Sequence, residues 1–297
     1  MSRRVHTMKA QELYAKLEKD FDLAHCKDDW SEMDFNEFTS GNFKKRYMGL
    51  MADNASEIKK VYTAVFPTEE VIGHILAKGE KDAMLFIHHP MIWEIDGKNG
   101  VFRNIPWVGF KKLRDNHIAI YALHTPLDKT GGYSTSLSLA NALNITKERD
   151  FYEYFGNPAG VIGKTNLKTI DLLVKKARES VGHKVKLWAY GSKGITDDRV
   201  ALIAGGGNDI NALQEMADLG VNTFVTGVTR PTRDYKPALE AHEYAKQHKI
   251  NIIGATHYST EMFACIAMLD YFKKLGLRAE FIPGKPDFED MDYGMKS

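Results

Sequence analysis

Three short clusters of histidine and carboxylate side chains stand out because their residue types can bind metal ions. The clusters are His88-His89, His124-x-x-x-Asp128 and His257-x-x-x-Glu261. Each follows directly on an apolar stretch that predicts a β-strand. In open α/β sheets, ligands gather outside the carboxyl ends of the strands. The three clusters are therefore expected to meet at one site.

Together the clusters supply four imidazoles and two carboxylates, a donor set that suits zinc, iron or manganese. Six such donors exceed what one tetrahedral site needs. The set predicts two divalent metal ions roughly 3.5–4 Å apart, as in other two-metal sites. The alternative is that these side chains have only a structural role and bind no metal. Adjacent histidines, or a histidine and a glutamate one helical turn apart, are often ordinary core or surface residues. The joint occurrence of three clusters at strand ends favours metal.

The elements that must position these side chains can be predicted from the apolar pattern. Residues 83–87, 118–123 and 251–254 are the strands that end at the clusters. Helical segments alternate with strands along the chain, which predicts an α/β fold. A helix that starts near residues 256–259 would place His257 and Glu261 on one face, because residues four apart are neighbours on a helix.

The chain is predicted to form two lobes of mixed β-sheet covered by helices. Glycines and a proline in residues 144–167 predict a loop-rich boundary. The lobes are then residues 1–145, with the first two clusters, and residues 146–297, with the third, packed as one compact unit. Residues 21–46 are polar and irregular and predict a loop or a flap, and residues 284–297 are predicted to be a tail.

Two glycine-containing segments leave an alternative open. Gly205-Gly206-Gly207 lies between a predicted strand and a predicted helix, which is the layout of a phosphate-binding turn. The run does not match the usual dinucleotide or P-loop spacing, and a tight turn explains it at least as well. Thr226-Gly227 with Arg230 and Arg233 is a second segment that could bind an anion or simply form a surface loop.

Composition excludes several classes of function. The 40 basic and 39 acidic residues give a net charge of +1, so there is no overall field to attract nucleic acid or a membrane. Two cysteines in 297 residues do not make a disulfide framework. No apolar run approaches the length of a membrane span. A soluble, cytoplasmic protein without a membrane or strong nucleic-acid partner is expected.

The residues around the clusters resemble those of the Nif-three-like family, whose members are often labelled GTP cyclohydrolase I type 2 homologs. The resemblance runs from about residue 48 to residue 281 and follows the order of the family's motifs. It is carried by the segments Phe86-Ile87-His88-His89-Pro90-Met91-Ile92, Ala122-Leu123-His124-Thr125-Pro126-Leu127-Asp128 and Thr256-His257-Tyr258-Ser259-Thr260-Glu261.

This resemblance implies a dinuclear metal centre in the cleft between the two lobes. It implies metal ligands at five positions and a sixth residue, His124, in or beside the ligand shell. It also implies a homo-oligomer, a ring-shaped hexamer, and the family label suggests hydrolytic opening of GTP. The five ligand positions are His88, His89, Asp128, His257 and Glu261.

The sequence departs from the family pattern around the expected substrate pocket. Pro126 stands where the family usually has Asn, and Val228 where an acidic residue is common. A Trp-Asp-Asn segment that commonly precedes Gly49-Leu50 is absent. These changes leave the ligands intact but weaken the transfer of GTP as the substrate.

Three hypotheses for function follow. The first is a metal-dependent hydrolase of a small, nucleotide-like substrate, in which His124 is the catalytic residue, as a ligand or as the group that moves a proton. The second is a metal carrier or cofactor-assembly protein without turnover. The third is an interaction scaffold that metal only stabilises.

Overall fold

The computed structural model of the protein describes residues 7–98, 100–233 and 236–295, which fold into two compact units. The first unit runs to Leu127 and takes in Cys265–Gly284 as well. The second comprises Asp128–Ala264 and the residues from Lys285 onward. Each unit is a mixed α/β structure, which confirms the predicted fold class.

The helices and strands alternate along much of the chain. The helices are α1 (Ala10–Asp20), α2 (Phe43–Arg46), α3 (Glu69–Ala77), α4 (Trp107–Asp115), α5 (Thr125–Asp128), α6 (Thr135–Ala142), α7 (Ile170–Val181), α8 (Ile210–Asp218), α9 (Lys236–His248) and α10 (His257–Lys274). The strands are β1 (Met8–Lys9), β2 (Gly49–Ala52), β3 (Glu57–Ile58), β4 (Lys60–Ala64), β5 (Ala83–Ile87), β6 (Ile92–Trp93), β7 (Phe102–Arg103), β8 (Ile118–Ala122), β9 (Thr146–Tyr154), β10 (Asn157–Lys164), β11 (Lys186–Trp188), β12 (Arg199–Ile203), β13 (Thr223–Thr226), β14 (Asn251–Gly254) and β15 (Arg278–Phe281). Within the described part of the chain, no helix is long and apolar enough to cross a lipid bilayer.

A five-stranded sheet lies at the centre of the first unit, in the order β15-β4-β5-β8-β2. Neighbours from β15 to β8 are parallel, and β2 is antiparallel to β8. Every residue of β5 and β8 is buried, as expected of strands covered on both faces. Ile72 of α3 and Phe110 of α4 belong to the core that includes Leu85 and Ile120 of these strands. The predicted strand 83–87 is confirmed, and the next one ends at Ala122.

The second unit contains a six-stranded sheet in the order β11-β14-β13-β12-β10-β9. Strands β12, β13 and β14 are parallel, and the three outer strands are antiparallel to their neighbours. Phe224 and Val225 are adjacent on β13 but lie in different apolar cores, one with α8 and α9 and the other with α7. Because successive side chains of a strand point to opposite faces, helices cover both faces of this sheet.

The prediction that residues 144–167 are rich in loops is wrong. This segment contains the antiparallel hairpin of β9 and β10. Two of the glycines that suggested a loop, Gly160 and Gly163, lie within β10 instead. A Cβ at Gly160 would overlap the ring of Phe151, and one at Gly163 would overlap the Ile145 side chain. These glycines let the hairpin pack closely, so they mark crowding rather than a linker.

The division into units also differs from the predicted division at residues 145 and 146. The second unit begins at Asp128, because α6 packs against β9 and β10. Residues 265–284 count with the first unit, since β15 adds an edge strand to its sheet beside β4. Sequence pattern alone shows neither feature, because both depend on pairing between distant segments.

The predicted C-terminal tail is also wrong for the described residues up to 295. Residues Phe288–Asp290 form a 3-10 turn, and Asp290 is fully buried. The backbone oxygen of Asp290 accepts hydrogen bonds from the backbone N–H groups of Thr229 and Arg230, at 2.8 and 2.9 Å. The segment is therefore an integral part of the second unit.

Candidate metal centre

The end of β5 presents His88 and His89 in the first unit. Both side chains are buried, with exposed fractions of 0% and 2%. Their backbone N–H groups continue the hydrogen bonding of β5 with β4, since they donate to the carbonyl oxygens of Ala64 and Val65 at 3.2 and 3.0 Å. The sheet therefore fixes the backbone from which the two imidazoles project.

His124 joins these two side chains from the end of β8. One ligand atom from each of His88, His89 and His124 lies within 4.8 Å of the others. We call these three residues the histidine group. β5 and β8 are adjacent and parallel, so the residues that follow them meet at the same edge of the sheet. The group could hold a metal ion.

Hydrogen bonds fix which nitrogen of two of these rings carries the proton. Nδ1 of His88 lies 2.8 Å from the backbone oxygen of Leu123. Nδ1 of His124 lies 3.0 and 3.2 Å from the two carboxylate oxygens of Asp28. A carbonyl oxygen or an ionised carboxylate can only accept, so Nδ1 donates in both rings. Nε2 then keeps the lone pair that a metal ion requires.

Aromatic rings enclose the histidine group. The ring of Phe66 stacks on His89 at a centroid distance of 4.7 Å. Trp30 lies 4.9 Å from His124 and 6.3 Å from His89, again between ring centroids. Such walls exclude water and strengthen electrostatic interactions inside them.

His257 and Glu261 form a close pair in the second unit. β14 ends at Gly254 and α10 begins at His257, so the two residues lie one turn apart at the start of the helix, as predicted. Nε2 of His257 is 3.1 Å from Oε1 of Glu261, and both side chains are buried. A buried imidazole beside a carboxylate offers one nitrogen and one oxygen donor to a divalent ion.

Gly205 leaves the space that this pair occupies. A Cβ at residue 205 would overlap Oε1 of Glu261 and would lie 3.1 Å from Nε2 of His257. The residue has a φ of +71°, which glycine adopts readily. Its backbone N–H donates to Oγ1 of Thr260 at 2.8 Å. The absence of a side chain at this position is therefore a requirement of the pair.

Asp290 holds the first turn of α10. Its Oδ2 accepts a hydrogen bond from the backbone N–H of His257 at 2.8 Å. The first N–H groups of a helix have no partner within the helix, and a carboxylate there is also favoured by the helix dipole. The 3-10 turn that carries Asp290 therefore fixes the point at which α10 begins.

Asp128 lies at the end of the short helix α5. Its Oδ1 accepts a hydrogen bond from Oγ1 of Thr135 at 2.7 Å. Among the described residues, Asp128 is not in the groups of three or more side chains whose ligand atoms lie within 4.8 Å of one another. Pro126 lies within the single helical turn from Thr125 to Asp128, near a helix start, where the lack of a proline N–H is tolerated. The ligand role of Asp128 stays a prediction, as do those of the other five residues.

The glycine run forms a turn that follows β12. The backbone oxygen of Gly205 accepts from the N–H groups of Gly227 and Val228, both at 3.0 Å. With Glu261 adjacent, the turn faces a negative charge that would repel phosphate. Arg230 is fully buried, and its Nη1 lies 2.9 Å from Oε2 of Glu289. That arginine therefore supports the C-terminal segment.

Three residues of the site escaped prediction from the sequence. Asp28 lies 96 residues before His124, and no spacing rule connects such positions. Asp290 lies in the segment predicted to be a tail, 33 residues after His257, so no local capping pattern connects the two. Gly205 belongs to the glycine run of the sequence, but a strand–glycine–helix pattern does not reveal which neighbouring side chain requires the space beside a glycine.

Fold and site together define an α/β protein with buried histidine and carboxylate groups that could hold a metal ion. Residues 42–287 match the sequence model described as Duf34/NIF3 (NGG1p interacting factor 3). The chain therefore belongs to this family, which confirms the resemblance predicted for residues 48–281.

Curated relatives carry the name GTP cyclohydrolase 1 type 2 homolog. One from Archaeoglobus fulgidus is 29% identical over 256 residues, which cover 86% of this chain and 94% of the relative. Another, from Methanocaldococcus jannaschii, is 29% identical over 220 residues, or 70% of this chain and 77% of the relative.

Solved structures share the fold. A protein described as ybgI, of unknown function, has a TM-score of 0.73 at 20% identity and covers 94% of this chain and 100% of its own. Reduced HcgD from Methanocaldococcus jannaschii has a TM-score of 0.66 at 22% identity, with 95% and 100% covered. At these identities the likeness establishes the fold alone.

Proposed function

We propose that this protein is a metal-dependent hydrolase of a small, nucleotide-like substrate. In this proposal the six predicted residues bind two divalent ions in one centre. The observation that carries it is the histidine group, in which His88 and His124 each have Nδ1 committed to an acceptor. Histidines that bind metal ions commonly donate their other ring N–H to such an acceptor, which fixes the tautomer and the orientation of the imidazole. The family name of the relatives supports a nucleotide as the substrate class.

The proposed ligands and the residues around them would have different roles in hydrolysis. When bound, two divalent ions would lower the pKa of a shared water toward neutrality and polarise the scissile centre. His88 and His89 are held by the sheet, and Glu261 is held by the first turn of α10. The aromatic walls around His89 keep bulk water away from the reacting groups. His124 would act either as a further ligand or as the residue that moves the proton.

Elemental analysis of untagged protein tests the metal part of the proposal. About two transition-metal ions per chain are expected in the wild type, and His257→Ala should lose them because it removes a donor beside Glu261. His248→Ala is the matched control, since His248 is exposed at the end of α9. An alanine variant at residue 257 with full metal content would contradict the assignment.

Turnover requires a separate test. The metal-loaded protein should hydrolyse GTP or another nucleotide, lose that activity on chelation, and regain it when metal is returned. His88→Ala should abolish turnover while the fold, followed by near-ultraviolet circular dichroism, stays intact. Full metal content without turnover on a nucleotide panel would rule out a hydrolase of this substrate class.

A metal carrier without turnover is the second candidate, and one observation favours it. Val228, at a position where the family often has an acidic residue, is fully buried and offers no polar group to a substrate. A carrier should pass its metal to an acceptor protein or a modest chelator within minutes. An enzyme should retain its metal under the same conditions.

The assembly and location belong to the same proposal. By family resemblance we propose a ring-shaped homohexamer in the cytoplasm, where the two buried cysteines, Cys26 and Cys265, would stay reduced as thiols. Light scattering should give six times the chain mass of 33.6 kDa. A monomer at micromolar concentration would contradict the hexamer.

A further inference from the structure

Asp28 makes a buried contact with the histidine group. Its carboxylate oxygens lie 3.0 and 3.2 Å from Nδ1 of His124, and Oδ2 is 3.5 Å from the backbone nitrogen of Thr125. The Asp28 side chain is only 1% exposed, although its neighbours Lys27 and Asp29 are exposed. A carboxylate buried in this way requires a partner, and His124 is that partner.

We propose that Asp28 is a positioning residue that holds His124 as an Nε2 metal ligand. By accepting the Nδ1 proton, the carboxylate selects the tautomer in which Nε2 carries the lone pair. It also fixes the rotation of the ring about the Cβ–Cγ bond. This inference rests on the proposed metal centre and decides between the two roles left open for His124, in favour of the ligand.

The carboxylate differs from the acceptor used by His88. There the Nδ1 proton goes to the neutral carbonyl oxygen of Leu123. A carboxylate makes a stronger, charge-assisted bond and raises the basicity of the imidazole as a ligand. Asp28 should therefore contribute to metal affinity, as well as to the orientation of the ring.

Trp30 protects this contact from water. It lies two residues after Asp28, at 4.9 Å from His124 and at 4.9 Å from Phe102 in an edge-on arrangement. A hydrogen bond is stronger where water cannot compete for either partner. The segment that the sequence predicted as a loop or flap thus brings both the acceptor and its cover to the histidine group.

Metal affinity in Asp28 variants tests the proposal. We expect Asp28→Ala to weaken zinc binding about 10- to 100-fold, the usual cost of losing such a partner, while the number of ions at saturation stays unchanged. Asp28→Asn keeps an acceptor oxygen and should lose less. Asp29→Ala removes the adjacent exposed carboxylate and should match the wild type. Affinity is measured by competition with a chromophoric chelator.

Two results of this titration would overturn the proposal. An Asp28→Ala protein that loses an ion outright, as His124→Ala should, would make Asp28 a ligand. An unchanged affinity would remove any role for Asp28 at the metal. Near-ultraviolet circular dichroism of each variant identifies a loss of fold, and Asp28→Asn provides the measurement if the alanine variant does not fold.

Nitrogen-15 NMR of the metal-free protein gives a readout independent of metal and turnover. His124 should carry its proton on Nδ1 in the wild type and shift toward the Nε2 tautomer in Asp28→Ala. A wild-type proton on Nε2 would overturn the inference even if the protein binds metal. If His124 has the expected tautomer but the protein binds no metal, the proposed function is contradicted. The effect of Asp28 on the His124 ring would still hold in that case.

Discussion

Two single residues, Gly205 and Asp290, support the candidate ligands of the second unit. His257 and Glu261 lie against the backbone of Gly205, and the first N–H of their helix is held by Asp290. Each of these supports can be removed without touching a proposed ligand. The two supports therefore allow tests in which loss of metal would follow from loss of geometry alone.

Gly205→Ala should impair metal binding because the new methyl group would displace Glu261. The expected result is at least a tenfold weaker affinity for zinc, measured by chelator competition, together with a lower melting temperature. Gly79→Ala is the matched control, since Gly79 has a φ of +65° but no atom within 4 Å of an added Cβ. It should lose stability to backbone strain and keep its metal affinity. Equal affinities in both variants would contradict the role of Gly205.

Asp290→Ala should uncap α10 and loosen the first turn that carries His257. We expect a loss of about 1 kcal/mol or more in the free energy of unfolding, measured with urea, and weaker zinc binding. Asp209→Ala is the control because Asp209 caps α8 through the N–H of Asn211 at 2.8 Å. A comparable loss of stability is expected there with zinc affinity unchanged. If both variants bind zinc normally, the cap has no influence on the pair.

At the scale of elements, the parallel strands were predictable and their partners were not. The continuous apolar stretch in residues 83–87 is typical of a strand buried on both faces, and it is β5. The hairpin of β9 and β10 was missed because Gly160 and Gly163 suggested a loop. The sequence does not distinguish a glycine that is required by close packing from one that lies in a flexible loop. Only the segments that pack against the glycine in the folded structure show the difference.

The same limit applies to the candidate site. The side chains that follow β5, β8 and β14 could be predicted because strand ends and helical spacing are local patterns. Asp28 could not, since its contact with His124 depends on how a long irregular segment returns to the sheet. Local periodicity identifies the candidate ligands, whereas the residues that orient them come from tertiary structure.

Edge strand β15 should make stability depend on pH. Hydrogen bonding to Lys60 lowers the pKa of Glu280 to about 2, with further help from His74. A carboxyl group with a depressed pKa stabilises the fold above its unfolded pKa and loses that effect as the pH falls through its folded pKa. The contribution should therefore be present at pH 7 and fade between roughly pH 4.5 and 2.

Lys60→Met tests this effect. At pH 7 it should lower the free energy of unfolding by up to about 1 kcal/mol, since Glu280 is partly exposed and solvent screens the pair. The difference from the wild type should shrink as the pH falls toward 2, in urea titrations at several pH values. Lys175→Met, which breaks an exposed pair with Glu179, should have little effect at any pH. A deficit that persists in acid would point to packing.

At the scale of the whole molecule, the chain passes between the two units more than once. The first unit needs residues 265–284, and the second takes the residues that follow them. A cut at the predicted boundary near residue 145 would deprive the first sheet of β15. Expression of the two predicted lobes as separate halves would therefore not reproduce either unit.

Metal should stabilise the whole protein if it binds only the folded state. At a free zinc concentration 100 times the dissociation constant, one site adds about 2.7 kcal/mol to the free energy of unfolding. The melting temperature, followed by circular dichroism, should rise steadily with zinc concentration and fall on chelation. His88→Ala should show a much smaller rise. An equal rise in this variant would place the bound zinc outside the histidine group.

The position of Trp30 has a photophysical consequence. The centroid of its indole ring lies 4.9 Å from that of His124 and 6.3 Å from that of His89. The other three tryptophans of the chain are Trp93, Trp107 and Trp188. Paramagnetic ions such as cobalt(II) quench indole emission at short range. In a variant with phenylalanine at those three positions, cobalt should lower the intensity of the Trp30 emission. Zinc should only shift the wavelength of its emission maximum. The protein would then carry its own optical reporter of which ion it has bound.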